Sequence, residues 1–85
     1  MDWEDVGIVR ASQHRQDILG ILAQRSSTPK EMAEALKIHL SQITRNLREM
    51  EKRGMVECMT PQLRKGRIYS ITGKGREIFE QAKPK

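Results

Sequence analysis

The sequence predicts a mainly helical α+β fold, with three helices, a hairpin of two short strands and a short closing helix. Three observations carry that expectation. A capped short helix and a three-residue turn precede a longer helix with one apolar and one basic face. A glycine follows that longer helix where a stop is needed. Two strand-like runs then flank a loop that holds Pro61, Gly66 and several bases but no acid.

The first helical pattern runs from Ser12 to Gln24, where Ile18, Leu19, Ile21 and Leu22 keep helical spacing before Arg25-Ser26-Ser27 ends it. Thr28 then offers an N-cap, Pro29 suits the first helical position, and Glu31 completes a Thr-x-x-Glu capping box. That helix extends to about Leu36 and is expected to bury Met32, Ala35 and Leu36. Lys37-Ile38-His39 is too short for anything but a turn.

A second amphipathic pattern follows from Leu40 to Arg53. Gly54 stops it at the position that tolerates positive φ, which sets Met50 and Met55 as the hydrophobic pair of a Schellman motif. Met55–Met59 and Arg67–Ile71 read as strands. Thr72 caps a last helix that begins near Gly73 and uses Ile78, Phe79 and Ala82. Residues 83–85 form a frayed tail.

Eighty-five residues suffice for one domain and not for two, which places the domain at residues 11–82. Residues 1–10 form an arm. Trp3, Val6, Ile8 and Val9 are too apolar for a solvated tail, so the arm either docks on the domain or meets a second copy. With Trp3, Tyr69 and Phe79 as the only aromatics, aliphatic residues and five methionines must build the core. A core this thin makes self-association plausible.

The net charge is +5, and the acids Asp2, Glu4 and Asp5 at the amino end mask a still more basic body. Such a body favours a polyanionic partner by attraction and counterion release, although basic surfaces also serve solubility. The placement of the charge separates these readings. On the Leu40–Arg53 helix, Ile43, Leu47 and Met50 share one stripe, opposite Ser41, Arg45, Arg48 and Lys52, with Gln42 and Thr44 on the flanks.

A helix of that width fits the major groove, where arginine pairs with guanine and glutamine with adenine. Ser41, Gln42, Thr44 and Arg45 are therefore the candidate base readers. Arg48 and Lys52, further down the helix, are assigned to phosphates, together with Thr28 and Lys30 at the start of the preceding helix. The competing reading is of ordinary solvated charges, since Glu49 has Arg45 and Arg53 at i,i+4 spacing. Arg64, Lys65 and Arg67 of the acid-free loop add a second basic element, suited to a backbone or a minor groove. A solubilising hairpin tip is the alternative there.

Other chemistries find little support. The lone Cys58 has no disulfide partner, which fits a reducing cytoplasm, and reads as a small packed strand residue. His14 and His39 are far apart and read as surface or capping residues, so no metal site is expected. Gly73-Lys-Gly75 lacks phosphate-loop spacing, and no nucleophile–base set is evident. The expectation is of no enzyme, cofactor, evident small-molecule effector or membrane span.

The segment TPKEMAEALKIHLSQITRNLREMEKRGMVE, with Gly54 after its long helix, resembles the winged helix-turn-helix of MarR/ArsR-like transcription regulators, especially small archaeal ones. The closing RIYSITGKGREIF and the opening WEDVGIVRASQHRQDIL extend the resemblance over nearly the whole chain. It implies a tri-helical core of residues 11–24, 29–36 and 40–53, with a two-stranded wing. It implies base contacts from Ser41, Gln42, Thr44 and Arg45, and wing contacts from Arg64, Lys65 and Arg67. It also implies a homodimer on two-fold-related half-sites. His39 and Leu40 depart from the family's small polar cap and following polar residue, and the long terminal helices of larger members are lacking.

The function expected is thus that of a sequence-specific, duplex-DNA-binding transcription regulator. The alternative is a winged helix used as a protein-interaction module, since fold alone does not decide function. RNA binding is the weaker third reading, because exposed aromatics for base stacking are few.

Overall fold

The computed structural model describes residues 2–83. Its elements are α1 (Trp3–Arg10), α2 (Gln13–Gln24), α3 (Pro29–Leu36), α4 (Leu40–Lys52), β1 (Val56–Cys58), β2 (Tyr69–Ile71) and α5 (Gly73–Ala82). Helices α2, α3 and α4 surround one core, and β1 pairs antiparallel with β2, Val56 opposite Ile71 and Cys58 opposite Tyr69. The strands are shorter than the sequence suggested. Beyond them the ladder continues only as the Met59 N–H bonding to Ile68 O at 2.7 Å, and the Ile68 N–H turns to Thr60 Oγ1.

The start of α3 and the end of α4 have chemical causes. Thr28 Oγ1 accepts from the Glu31 N–H at 3.1 Å, while Glu31 Oε1 accepts from the Thr28 N–H at 3.0 Å, closing the capping box on α3. That backbone donor holds the Glu31 carboxyl below its usual range. At the other end of the helix pair, Gly54 adopts φ 78° and donates to Glu51 O, while the Met55 N–H bonds to Met50 O. This is the Schellman closure that the glycine and the two methionines implied.

The buried stripe of α4 is Ile43, Leu47 and Met50, meeting Ile18, Leu19 and Leu22 of α2 and Met32 of α3 in a single core. Each such side chain contributes about 1.5–3 kcal/mol when removed from water. Ala35 was expected in this core but is exposed. At ~100° per residue the buried stripe of α3 is centred between Met32, Leu36 and Ala33, and Ala35 falls beyond its edge.

The amino-terminal arm is a helix. Asp2 caps it by accepting from the Asp5 N–H at 3.2 Å, and the side chains of Val6 and Val9 are buried against the body. Trp3 on the same helix is 64% exposed. Asp5 is buried, and its carboxylate accepts from Arg53 Nη1 at 2.7 Å and Lys74 Nζ at 2.9 Å. Arg10 closes the far side by donating to Gln81 O.

One further tie crosses the molecule. Ser27, just ahead of α3, exchanges both backbone hydrogen bonds with Tyr69, at 3.1 and 2.8 Å. The hairpin is thereby fixed to the start of the helix pair. The fraying expected for residues 84 and 85 lies outside the described residues, while Lys83 pairs with Glu80 at 3.2 Å.

Candidate nucleic-acid interface

Burying Ile43, Leu47 and Met50 turns the opposite side of α4 to solvent. Ser41, Gln42, Thr44, Arg45, Arg48 and Lys52 are all exposed there. The helix's own backbone takes up some of their neighbours' polar groups: Thr44 Oγ1 donates to Ser41 O at 3.1 Å, and Asn46 Nδ2 to Gln42 O at 3.0 Å. Glu49 bonds Arg53 Nε at 3.0 Å and makes no ion pair with Arg45.

Among the described residues, the cations fall into two groups. Arg53, Lys74 and Lys83 make ion pairs, while Arg10 and Arg76 donate to the carbonyls of Gln81 and Ala23. Lys30, Arg45, Arg48, Lys52, Arg64, Lys65 and Arg67 make no ion pair among the described residues. The second group holds the cations that the sequence pattern marks for nucleic-acid contact, and Arg15, Arg25 and Lys37 likewise make no ion pair among the described residues.

Thr28 is half-buried and committed to capping, so its contact with a ligand is confined to what its hydroxyl can still donate. Lys30, one turn into α3, is exposed. On the wing, Arg64 and Lys65 are exposed at the tip around Gly66, which adopts φ 66°. Arg67 is half-buried, and its Nε has no hydrogen-bond partner. The wing also shows Met59, Leu63 and Ile68 to solvent, at 55%, 42% and 37% exposure.

Sequence reasoning missed one part of this surface. A cleft of about 310 Å³ separates α4 from the start of α2, lined by Ser12, His14, Arg15, Gln42, Arg45 and Asn46. Nothing local in the sequence joins these two groups, since tertiary packing alone brings them together. A larger groove of about 920 Å³ runs between α2, α3 and α5, and none of the candidate base readers lines it. No group of three or more potential metal ligands occurs among the described residues. No helix of the described residues is long and apolar enough to cross a membrane.

Known structures share this arrangement. The transcriptional regulator BldR from Sulfolobus solfataricus is 25% identical, with a TM-score of 0.76 over 84% of this chain and 52% of that one. YusO from Bacillus subtilis is 19% identical, with a TM-score of 0.77 over 91% of this chain and 57% of that one. A ZitR variant from Lactococcus lactis, solved in complex with DNA, is 22% identical, with a TM-score of 0.71 over 82% and 49%. The chain spans about half the length of these structures. No curated protein sequence matches it. The model of one family, described as the HVO_A0261 N-terminal domain, matches residues 3–84. By that match the chain belongs to the HVO_A0261 N-terminal domain family, and its fold is the winged helix of MarR-like regulators.

Proposed function

We propose that this chain is a sequence-specific, duplex-DNA-binding transcription regulator. Helix α4 enters the major groove, and the wing at residues 60–67 lies on the backbone or in the minor groove. One observation carries the reading: Arg45, Arg48 and Lys52 of α4 and Arg64, Lys65 and Arg67 of the wing make no ion pairs among the described residues, whereas Arg53, at the C-cap of α4, is held by Glu49 and Asp5. Cations left without acid partners are suited to releasing counterions from a polyanion.

Ser41, Gln42, Thr44 and Arg45 read base edges in this scheme, and Thr28, Lys30, Arg48, Lys52, Arg64, Lys65 and Arg67 hold phosphates. The likeness to BldR, described as a transcriptional regulator, and to a ZitR variant solved with DNA supports it. The reading includes a homodimer on two-fold-related half-sites, supported by the exposed Trp3 of α1, and a cytoplasmic location. It calls for no cofactor.

Selection of bound sequences from a random duplex pool tests the proposal. Enrichment of an inverted repeat is the expected result. Arg45→Ala should then lower discrimination between sequences, and Lys65→Ala should weaken all duplexes alike. Absence of enrichment would instead favour a protein-interaction module.

A further inference from the structure

The cleft between α2 and α4 holds side chains that the base-reading assignment leaves without a role. Ser12, His14 and Arg15 form one wall and Gln42, Arg45 and Asn46 the other, and no carboxylate lines it. Arg15 is the informative residue. Its Nε is buried without a hydrogen-bond partner, and neither Arg15 nor Arg45 makes an ion pair among the described residues. A buried guanidinium N–H with no acceptor is costly, so a partner outside the chain, an ordered water or a ligand, is expected to complete it.

The rest of the cleft narrows what that ligand is. Ser12 Oγ accepts from the Arg15 N–H at 3.3 Å, and Asn46 Nδ2 is bound to Gln42 O. The buried group left unsatisfied in the cleft is a donor, Arg15 Nε, and with two guanidiniums and no carboxylate on its walls the cleft suits an anionic acceptor. A space of about 310 Å³ has ample room for a phosphodiester group. Gln42 and Arg45 belong to both the cleft and the exposed face of α4, so an anion seated here lies beside whatever that face meets.

We infer that the cleft seats one backbone phosphodiester of the bound duplex, held by Arg15 and His14, with Arg45 between that phosphate and the bases. The inference rests on the duplex-DNA reading above. Its consequence is energetic: one phosphate gripped by α2 adds affinity for any duplex without itself reading sequence.

Duplex binding by the whole chain, measured across a salt series, provides the test, using the sequence selected from the random pool. Arg15→Ala should weaken binding about fivefold to tenfold. It should also lower the slope of log K against log salt by about 0.9, the value of one phosphate contact. Preference for selected over random duplex should stay unchanged. Arg15→Gln, which keeps the stem and the fold, should behave like Arg15→Ala.

A scan of uncharged methylphosphonate linkages should find one position that weakens the wild type by a similar factor and weakens Arg15→Ala no further. A wild-type salt slope in both variants, or additive losses at every linkage, would overturn the inference while leaving DNA binding intact. Failure of the wild type to bind any duplex would remove the reading beneath it. Competition by inorganic phosphate beyond that of chloride at equal ionic strength would assign the cleft to free phosphate and overturn the backbone assignment.

Discussion

The carboxylate of Asp5 in α1 and the guanidinium of Arg53 at the end of α4, 48 residues apart, are joined at 2.7 Å. Lys74 of α5 reaches the same carboxylate at 2.9 Å and donates to Arg53 O at 2.6 Å. Three helices thus converge on one side chain that is only 2% exposed. The end of α4 is held by the amino-terminal arm as well as by its own glycine stop.

Asp5→Ala should therefore destabilise the fold. Breaking a fully buried pair costs about 3–5 kcal/mol, but Arg53 and Lys74 are partly exposed and can rehydrate, so about 2 kcal/mol is expected here. Urea unfolding measures it. A loss below about 0.5 kcal/mol, the range of an ordinary surface change, would mean the clasp contributes nothing.

The same carboxylate makes stability depend on acid. Burial pushes its pKa up, but hydrogen bonds from Lys74 and Arg53 outweigh that, leaving it below the ordinary 3.8. A group depressed on folding adds stability that is fully present above its unfolded value and is lost as pH falls through the folded one. The wild-type urea midpoint should accordingly be level above about pH 5 and drop below about pH 4. In Asp5→Asn the acid limb should be shallower. Parallel curves for the two proteins would assign the acid loss to other groups.

Two glycines in one helical turn should respond oppositely to alanine. A Cβ at Gly75 would collide with the Met55 carbonyl oxygen and come within 2.8 Å of Ile71 Cγ1, whereas nothing lies within 4 Å of a Cβ at Gly73. Backbone cannot yield as a side-chain tip can, so Gly75→Ala should cost about 2 kcal/mol or more. Gly73→Ala should be neutral or stabilising by up to about 1 kcal/mol. Thermal unfolding of the two variants compares them directly, and equal midpoints would contradict the packing argument.

Much of this was legible because its causes are local. Thr28, Pro29 and Glu31 are neighbours in sequence, as are Met50, Gly54 and Met55, so spacing alone announces the cap and the stop. Asp2 and Asp5 carried a similar start signal for α1 that the pattern of apolar residues concealed. What spacing cannot hold is contact between distant segments. The Ser27–Tyr69 bridge, the Asp5 clasp and the meeting of Arg15 with Arg45 arise only once the helices dock, so no periodicity foretells them. The exposed face of α4, with Ser41, Gln42, Thr44 and Arg45, was recoverable because burial of Ile43, Leu47 and Met50 on one stripe dictates what faces outward.

The start of α4 offers the last prediction. His39 occupies the N-cap, and its side chain makes no capping bond, so the first turn of α4 lacks the side-chain acceptor that α3 has in Thr28. Its backbone, at φ −58° and ψ 138°, already lies outside the helical region, as an N-cap must. A serine there can accept from a free N–H of the first turn without moving the chain. His39→Ser should thus raise stability by about 0.5–1 kcal/mol, read from the urea midpoint. If duplex affinity falls in the same variant while stability rises, the imidazole itself touches the duplex. If both rise together, the gain comes from a firmer first turn beneath Ser41 and Gln42. An unchanged midpoint would show that water already satisfies those donors as well as a hydroxyl can.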